Sequence, residues 1–279
     1  MELYDKIDES AAYIASKSPL CYTYGLVLGT GLGRFAERIS DRIELPYGEI
    51  PHFPVSTVDG HAGKLILGKM HGIPVLVMSG RFHYYEGYTP QELTFPVRVM
   101  KALGVEHILL TNAAGGLNEA YEEGEVVMIT DHINMMPGHP LRGHNDERLG
   151  VRFPDMKDAY AKDAIDEFLA IAKKENIRLM QGVYLGLQGP SMETPAEYNM
   201  AHHLGGDLIG MSTIPEVIVA RHCEMKVSAF SIVSNICYPI SKIKVTTLAG
   251  VIAAADKSAL KLAALIEAYF VALSSSKNY

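Results

Sequence analysis

Tyr24-Gly25-Leu26-Val27-Leu28 runs directly into Gly29-Thr30-Gly31-Leu32-Gly33, and the reading of this stretch decides the fold. The first segment is apolar and stops at a glycine, which predicts a short buried strand. The glycines predict a tight loop, and Phe35 with the residues after it a short helix. Three uses fit such a unit. Gly31-Leu32-Gly33-Arg34-Phe35-Ala36 matches the G-x-G-x-x-A pattern of dinucleotide sites. That pattern also wants an acidic residue at the end of a second strand about 20 residues on. Here Glu49 lies in the punctuated stretch Pro46-Tyr47-Gly48-Glu49-Ile50-Pro51. In the second use, glycines bring backbone N–H groups close to a phosphate and Thr30 adds a hydroxyl. In the third, the turn needs glycine only for its dihedrals.

Outward from this unit, strand and helix signals alternate. Leu3, Ile7, Ala11 and Ile14 predict a helix over 2–17. Residues 63–69 and 73–78 read as two strands joined at His71-Gly72, a hairpin. Pro90 suits the first turn of a helix running to about Leu103. His107 to Thr111 and Val126 to Thr130 read as further strands, and 131–157, with Pro137, Pro140 and Pro154, as a long irregular stretch of the kind that serves function or an interface. Helices follow at 158–173, 195–204, 213–222 and 247–273, with strands at 180–187 and 226–233. The pattern predicts a single α/β domain over 1–279, a central mixed β-sheet flanked by helices, with ligands on the loops after strands.

The chain has 279 residues, 48% hydrophobic and 20% charged, an ordinary globular mixture long enough for a sizeable core. Lysine and arginine total 25 against 32 acidic residues, a net charge of -7, so nothing in the charge favours a nucleic-acid partner. Cys21, Cys223 and Cys237 are odd in number and lack CxxC spacing, which predicts a reducing, cytoplasmic setting without structural zinc. The N-terminus lacks a signal-peptide layout, and no apolar run approaches the ~18 residues of a membrane span, so no membrane association is expected. The histidines offer no metal set. His139 and His144 flank Pro140 and Gly143, and His202-His203 point apart on a helix.

Several post-strand loops carry candidate chemistry. Arg81-Phe82-His83-Tyr84-Tyr85-Glu86-Gly87-Tyr88 offers a guanidinium fork, an imidazole and a hydroxyl to an anion, or is a solvated surface pair. Thr111-Asn112-Ala113-Ala114-Gly115-Gly116-Leu117 leaves backbone N–H groups open, or is a plain turn. In Gln188-Gly189-Pro190-Ser191-Met192-Glu193-Thr194-Pro195, Glu193 is either an acceptor for ring N–H groups or a helix-start carboxylate. Ser212 or Thr213 caps a helix whose N-terminus also suits an anion. Asn235, closing an apolar run, is a turn residue or a neutral group that donates and accepts.

Taken together and in order, these segments resemble the trimeric purine nucleoside phosphorylases. The resemblance rests on Gly29-Thr30-Gly31-Leu32-Gly33, Gly60-His61-Ala62-Gly63, Gly80-Arg81-Phe82-His83 and Thr94-Phe95-Pro96-Val97-Arg98. It continues through Thr111 to Leu117, Asp131-His132-Ile133-Asn134, Pro140-Leu141-Arg142-Gly143, Asn145-Asp146-Glu147-Arg148 and Arg152-Phe153-Pro154. It closes with Gly189-Pro190-Ser191, Glu193-Thr194 and Gly210-Met211-Ser212-Thr213 with Pro215-Glu216-Val217-Ile218-Val219-Ala220, covering about residues 25–235.

The resemblance implies phosphorolysis of purine nucleosides, inosine and guanosine above all, to free base and ribose 1-phosphate, with phosphate as co-substrate and no cofactor. By similarity, Thr30, Arg81, His83, Ala113 through its backbone, and Ser212 hold phosphate, with His61 on a loop nearby. Tyr85 and Met211 contact the ribose, and Glu193, Asn235 and Met192 lie at the base. Phe153 reaches into a neighbouring subunit's site, which implies a homotrimer. Catalysis falls to Asn235, Glu193 and His83: phosphate is itself the nucleophile, so the protein positions it and stabilises the departing purine.

Departures from the pattern keep rivals open. Thr30 stands where many relatives have serine, and Met192 where mammalian relatives have an aromatic residue. Ile236-Cys237-Tyr238-Pro239-Ile240 is not the usual continuation, and His222 is the last histidine, leaving the ribose 5′ contact unassigned. The rivals are methylthioadenosine phosphorylase, whose members carry aspartate at Asn235, xanthosine phosphorylase, a nicotinamide-dependent oxidoreductase using Gly31 to Ala36, and a nucleoside-binding protein without turnover.

Overall fold

The structure is a computed structural model that describes residues 1–55 and 63–276. Its strands are β1 (Tyr24–Leu28), β2 (Ser40–Pro46), β3 (Lys64–Met70), β4 (Ile73–Ser79), β5 (His107–Gly116), β6 (Val126–Asn134), β7 (Leu179–Gly186), β8 (Leu208–Gly210) and β9 (Lys226–Ile236). The helices are α1 (Leu3–Ala15), α2 (Pro90–Leu93), α3 (Phe95–Ala102), α4 (Lys162–Lys174), α5 (Pro195–His203), α6 (Ile214–His222) and α7 (Leu248–Ser276).

All strands join one mixed sheet in the order β2-β3-β4-β1-β5-β8-β7-β6-β9, and β9 also pairs with β5. That last pairing closes β5, β8, β7, β6 and β9 into a ring, while β1, β4, β3 and β2 extend from it as an open flank. The apolar runs lie where burial is complete: Leu26, Val27, Leu28, Val75, Leu76 and Val77 are almost wholly shielded. Two groups of helices cover the sheet. α1 packs on α3 and α3 on α6, while α7 packs on β9, β6 and α4.

Local chemistry explains the elements. β3 and β4 meet through His71 (φ 49°) and Gly72 (φ 81°), two consecutive left-handed residues. This is the turn whose twist matches a right-twisted hairpin. The single helix expected from Pro90 to Leu103 is instead α2 and α3, broken at Thr94. Pro96 sits in the first turn of α3 and offers no N–H to continue the helix, and the Thr94 hydroxyl donates to the Pro90 carbonyl at 2.6 Å. The helix expected from 158 begins only at Lys162.

Two corrections concern the sheet and the membrane. Asn112 to Gly116, expected to form a loop, continue β5, because this segment pairs with β9 throughout and with β8 at Gly115 and Gly116. Sheet pairing overrides the turn preference of Asn and Gly. Within α7, the stretch Ser258–Ser276 has a mean hydropathy of 1.4, long and apolar enough to cross a membrane. Lys261 and Glu267 interrupt it, which hides the run from a search for unbroken apolar sequence. In the fold its Leu262, Leu265, Ile266 and Phe270 are buried in the main hydrophobic core, as in a core helix.

Candidate active site

The β1 edge of β5 has a gap. β1 pairs with β5 as far as Leu110, and β8 takes up pairing at Gly115. Among the described residues, Thr111 to Ala114 therefore face no strand on that edge. The Thr111 carbonyl, on this side, accepts from Arg81 Nη1 at 2.5 Å. Strand alternation sends the Ala113 N–H to the same side. The Gly29–Gly33 loop closes over the window. Gly29 N donates to Thr111 Oγ1 at 3.0 Å, and a Cβ on Gly29 would lie 2.5 Å from the Thr111 carbonyl oxygen, so only glycine fits.

The same loop settles the first question posed by the sequence. It opens not an α-helix but a 3-10 turn over Gly33–Arg38, and Glu49 lies in a second 3-10 turn rather than at a strand end. Gly31 is pressed against Ala255 of α7, where a Cβ would lie 2.4 Å from the Ala255 Cβ, so this glycine serves packing against α7. The oxidoreductase reading loses its structural basis.

Arg81 follows β4 and is 1% exposed. Its Nε and Nη2 donate to the two carboxylate oxygens of Glu216 at 3.1 and 2.7 Å, a forked pair in the interior. Its Nη1 reaches toward Ser212 Oγ at 3.5 Å. His83 is held by Glu86, which accepts from the His83 backbone N–H at 2.8 Å and lies 3.0 Å from Nδ1. The His83 ring stacks on Tyr85, centroids 4.7 Å apart. Burial raises the Tyr85 hydroxyl to about 12, so it remains a neutral donor at neutral pH.

Ser212 enters α6 through Thr213, whose φ of 70° and ψ of -53° are paired with a hydrogen bond from Ile214 N to Ser212 O at 2.8 Å. This is the rare, strained form of γ-turn, and strain of this kind gathers at functional sites. The Thr213 hydroxyl makes no capping bond. It accepts instead from Asn112 Nδ2 at 2.9 Å, and Asn112 Oδ1 accepts from Ser231 at 2.7 Å. A buried polar chain from β9 through β5 thus fixes the turn that presents Ser212.

At the other end of the site, β9 carries a bulge. Ala114 pairs with Val233 and Gly115 with Asn235, so Ser234 is the extra residue. A bulge re-aims side chains, and this one leaves Asn235 facing the cleft. Ser234 Oγ lies 2.7 Å from Asn235 Oδ1, and Asn235 Nδ2 contacts Cys237 Sγ at 3.1 Å and Thr246 Oγ1 at 3.2 Å. Across the cleft, α5 is capped by Thr194 with Glu197 in a reciprocal box. Glu193 therefore plays no part in the cap. Burial raises its carboxyl above the ordinary range, while its own backbone N–H and Tyr198 pull it partly back.

One cleft gathers these groups. Thr30, Arg81, His83, Tyr85, Ala113, Met192, Glu193, Met211, Ser212 and Asn235 all line it. Phe153 does not: it stands 87% exposed on the long loop, with the Arg152 guanidinium 5.7 Å from its ring. His61 lies outside the described residues. The sequence reading gave Glu216 no role at the site, because it looks like an ordinary first-turn acid. It also missed Ser234, Tyr198, Cys237 and Val251, which line the cleft.

Residues 23–271 match the family described as the phosphorylase superfamily. The chain belongs to that superfamily. Purine nucleoside phosphorylase 1 of Geobacillus stearothermophilus is 53% identical over 229 residues, 82% of this chain and 84% of that protein. Among solved structures, isoform 2 of the Schistosoma mansoni purine nucleoside phosphorylase, with cytosine and ribose-1-phosphate, superposes with a TM-score of 0.90. It is 40% identical, and 95% of each chain is covered. A schistosome purine nucleoside phosphorylase with hypoxanthine gives 0.89 at 38% identity, again with 95% of each chain covered. As in other phosphorylases of the superfamily, the fold is α/β with a mixed sheet.

Proposed function

We propose that the chain catalyses reversible phosphorolysis of purine nucleosides, giving free purine base and ribose 1-phosphate, with inosine and guanosine preferred. The observation that carries the reading is one cleft lined both by groups suited to an anion, Arg81, His83, Ser212, Thr30 and Ala113, and by groups suited to a purine, Glu193 and Asn235, with Arg81 Nη1 reaching toward Ser212 Oγ at 3.5 Å. The identity to a named purine nucleoside phosphorylase, and the ribose-1-phosphate and hypoxanthine in similar structures, support it.

Phosphate lies against the donors of the window and attacks C1′ of the sugar. As the new C1′–O bond forms, the C1′–N9 bond breaks and its electron pair passes to the purine. Asn235 donates to N7 and so stabilises the charge developing on the leaving base. Glu193 accepts from N1–H, a proton that 6-oxopurines have and adenine lacks. Both Nδ2 protons of Asn235 already have partners, so N7 displaces one of them. Thr246, partly exposed, is the easier to release. Tyr85 and Met211 flank the ribose.

The deciding experiment is hypoxanthine release from inosine with and without inorganic phosphate. Release that requires phosphate is the expected result; equal release without it would make the protein a hydrolase. Release under neither condition would sink the reading.

The working unit on this reading is a homotrimer, in which exposed Phe153 and Val151 of one subunit reach a neighbour's cleft. Sedimentation equilibrium should give three times the monomer mass; a monomer would refute this. A cytoplasmic location suits its three free thiols, and imaging of a fluorescent fusion tests it.

A further inference from the structure

Ser231 on β9, Asn112 on β5 and Thr213 at the entry to α6 are all buried, and their side chains meet in that order. The chain ends at Ser212, which lines the cleft. Ser212 Oγ and Thr213 Oγ1 lie 3.1 Å apart, a distance that does not say which of the two donates. Burial does. Each hydroxyl has one proton, and a buried donor takes an acceptor. Among the described residues, the Ser231 hydroxyl has a single hydrogen-bond partner, Asn112 Oδ1 at 2.7 Å. Its proton goes there, which fixes the way round the Asn112 amide sits. Nδ2 then donates to Thr213 Oγ1 at 2.9 Å. An NH2 group cannot accept in return, so the Thr213 proton goes to Ser212 Oγ, its remaining neighbour among the described residues. Arg81 Nη1 approaches the same oxygen at 3.5 Å. Ser212 accepts on the protein side and keeps its own proton for the cleft.

We propose that Asn112 is a positioning residue for phosphate: it passes the donor direction set by Ser231 through Thr213 to Ser212, so that Ser212 meets the anion as a donor. This rests on the phosphorolysis reading above. The role is distinct from holding the turn before α6. A chain running the other way would hold that turn equally well, but it would spend the Ser212 proton on Thr213. Phosphate would then face lone pairs where an anion needs a donor. The direction is built in before any ligand arrives, because both Ser231 and Asn112 lie in paired strands, opposite one another in the β5–β9 ladder.

Asn112→Leu removes the relay and keeps a side chain of similar shape. Thr213 Oγ1 becomes a free acceptor, Ser212 donates to it, and phosphate must break that bond to gain its own. KM for phosphate should rise about two- to ten-fold, the worth of one neutral hydrogen bond. Bound substrate and transition state lose this bond alike, so kcat at saturating phosphate should change little. KM for inosine should also change little. Ser212→Ala removes the proton on which the relay acts, and in that background Asn112→Leu should produce no further rise. A residue that only held the turn, or only placed the adjoining Ala113 N–H, would show its effect in both backgrounds.

Thermal unfolding identifies folded variants. A folded Asn112→Leu with the wild-type KM for phosphate overturns the inference, and so does an equal rise with and without the Ser212 hydroxyl. Should Asn112→Leu fail to fold, neutron diffraction from perdeuterated wild-type crystals with inorganic phosphate decides the matter. The expected result is a Thr213 deuterium pointing at Ser212 Oγ and a Ser212 deuterium pointing at a phosphate oxygen. A Ser212 deuterium pointing at Thr213 overturns the relay. Wild-type protein that releases no hypoxanthine from inosine with phosphate present overturns the phosphorolysis reading, and this inference with it. Normal wild-type turnover beside a failed relay test overturns this inference alone.

Discussion

Arg81→Met alone will leave the protein several kcal/mol less stable and without phosphate-dependent activity, whereas Arg81→Met combined with Glu216→Met will fold and remain inactive. The reason lies in the forked pair. Glu216 is buried in the first turn of α6, and the Arg81 guanidinium meets both its oxygens. Removing one member of such a pair strands a charge in the interior, at a loss of about 3–5 kcal/mol. Removing both with apolar groups of similar size is often neutral for stability. The pair therefore separates two jobs that a single substitution confuses. Stability depends on the two charges matching, and activity on the guanidinium edge that reaches past Glu216 toward Ser212. Thermal unfolding of the two variants should differ clearly. Initial rates against phosphate concentration should show a loss of at least about a hundred-fold in both, the scale of a preorganised donor to developing charge. A folded double variant that still saturates with phosphate normally would show that Arg81 does not hold the anion.

Asn235→Ala should reduce kcat by about a hundred- to a thousand-fold while leaving the KM for phosphate nearly unchanged, as expected for a donor needed only when charge reaches the leaving base. The bulge at Ser234 sharpens this expectation. Asn235 is held by Ser234 at Oδ1 and by Cys237 and Thr246 at Nδ2, so its amide is oriented before any ligand arrives. Asn235→Asp should shift preference from inosine toward adenosine, since an adjacent carboxyl group suits a 6-aminopurine. Comparing kcat/KM for the two nucleosides checks both variants. An inosine preference unchanged in Asn235→Asp would remove Asn235 from the base.

The half of the fold that the sequence shows is the half whose burial is regular. β1, β3 and β4 are apolar runs ending at glycine or at the His71-Gly72 turn, and α1 and α4 carry their buried residues at helical spacing. β2 escapes notice because Ser40, Asp41, Arg42, Ile43 and Glu44 are all exposed, leaving no alternation to read. β8 is three residues long, too short for any period. The far half of β5 reads as a turn because Asn112, Gly115 and Gly116 prefer one. Only their pairing with β9 and β8, remote in sequence, makes them a strand. The site divides the same way. Arg81, His83, Ser212 and Asn235 stand at strand ends or just beyond, where a local reading finds them. Tyr198 and Val251 lie on helices and reach the cleft only through tertiary packing.

The closure of β5 onto β9 also governs how the protein behaves in a crowded solution. An open sheet has two sides on which a foreign strand can add, and such addition has no natural stopping point. Here one half of the sheet is consumed in the ring, so the flank that ends the sheet is β2. Its face is charged: Lys69 bridges to Asp41 at 3.1 Å, and Glu44 is held by Lys64 at 2.6 Å and by Arg42 at 3.6 Å. An incoming strand would have to break or bury these pairs before gaining its backbone bonds. Open-ended stacking through this flank is disfavoured by electrostatics.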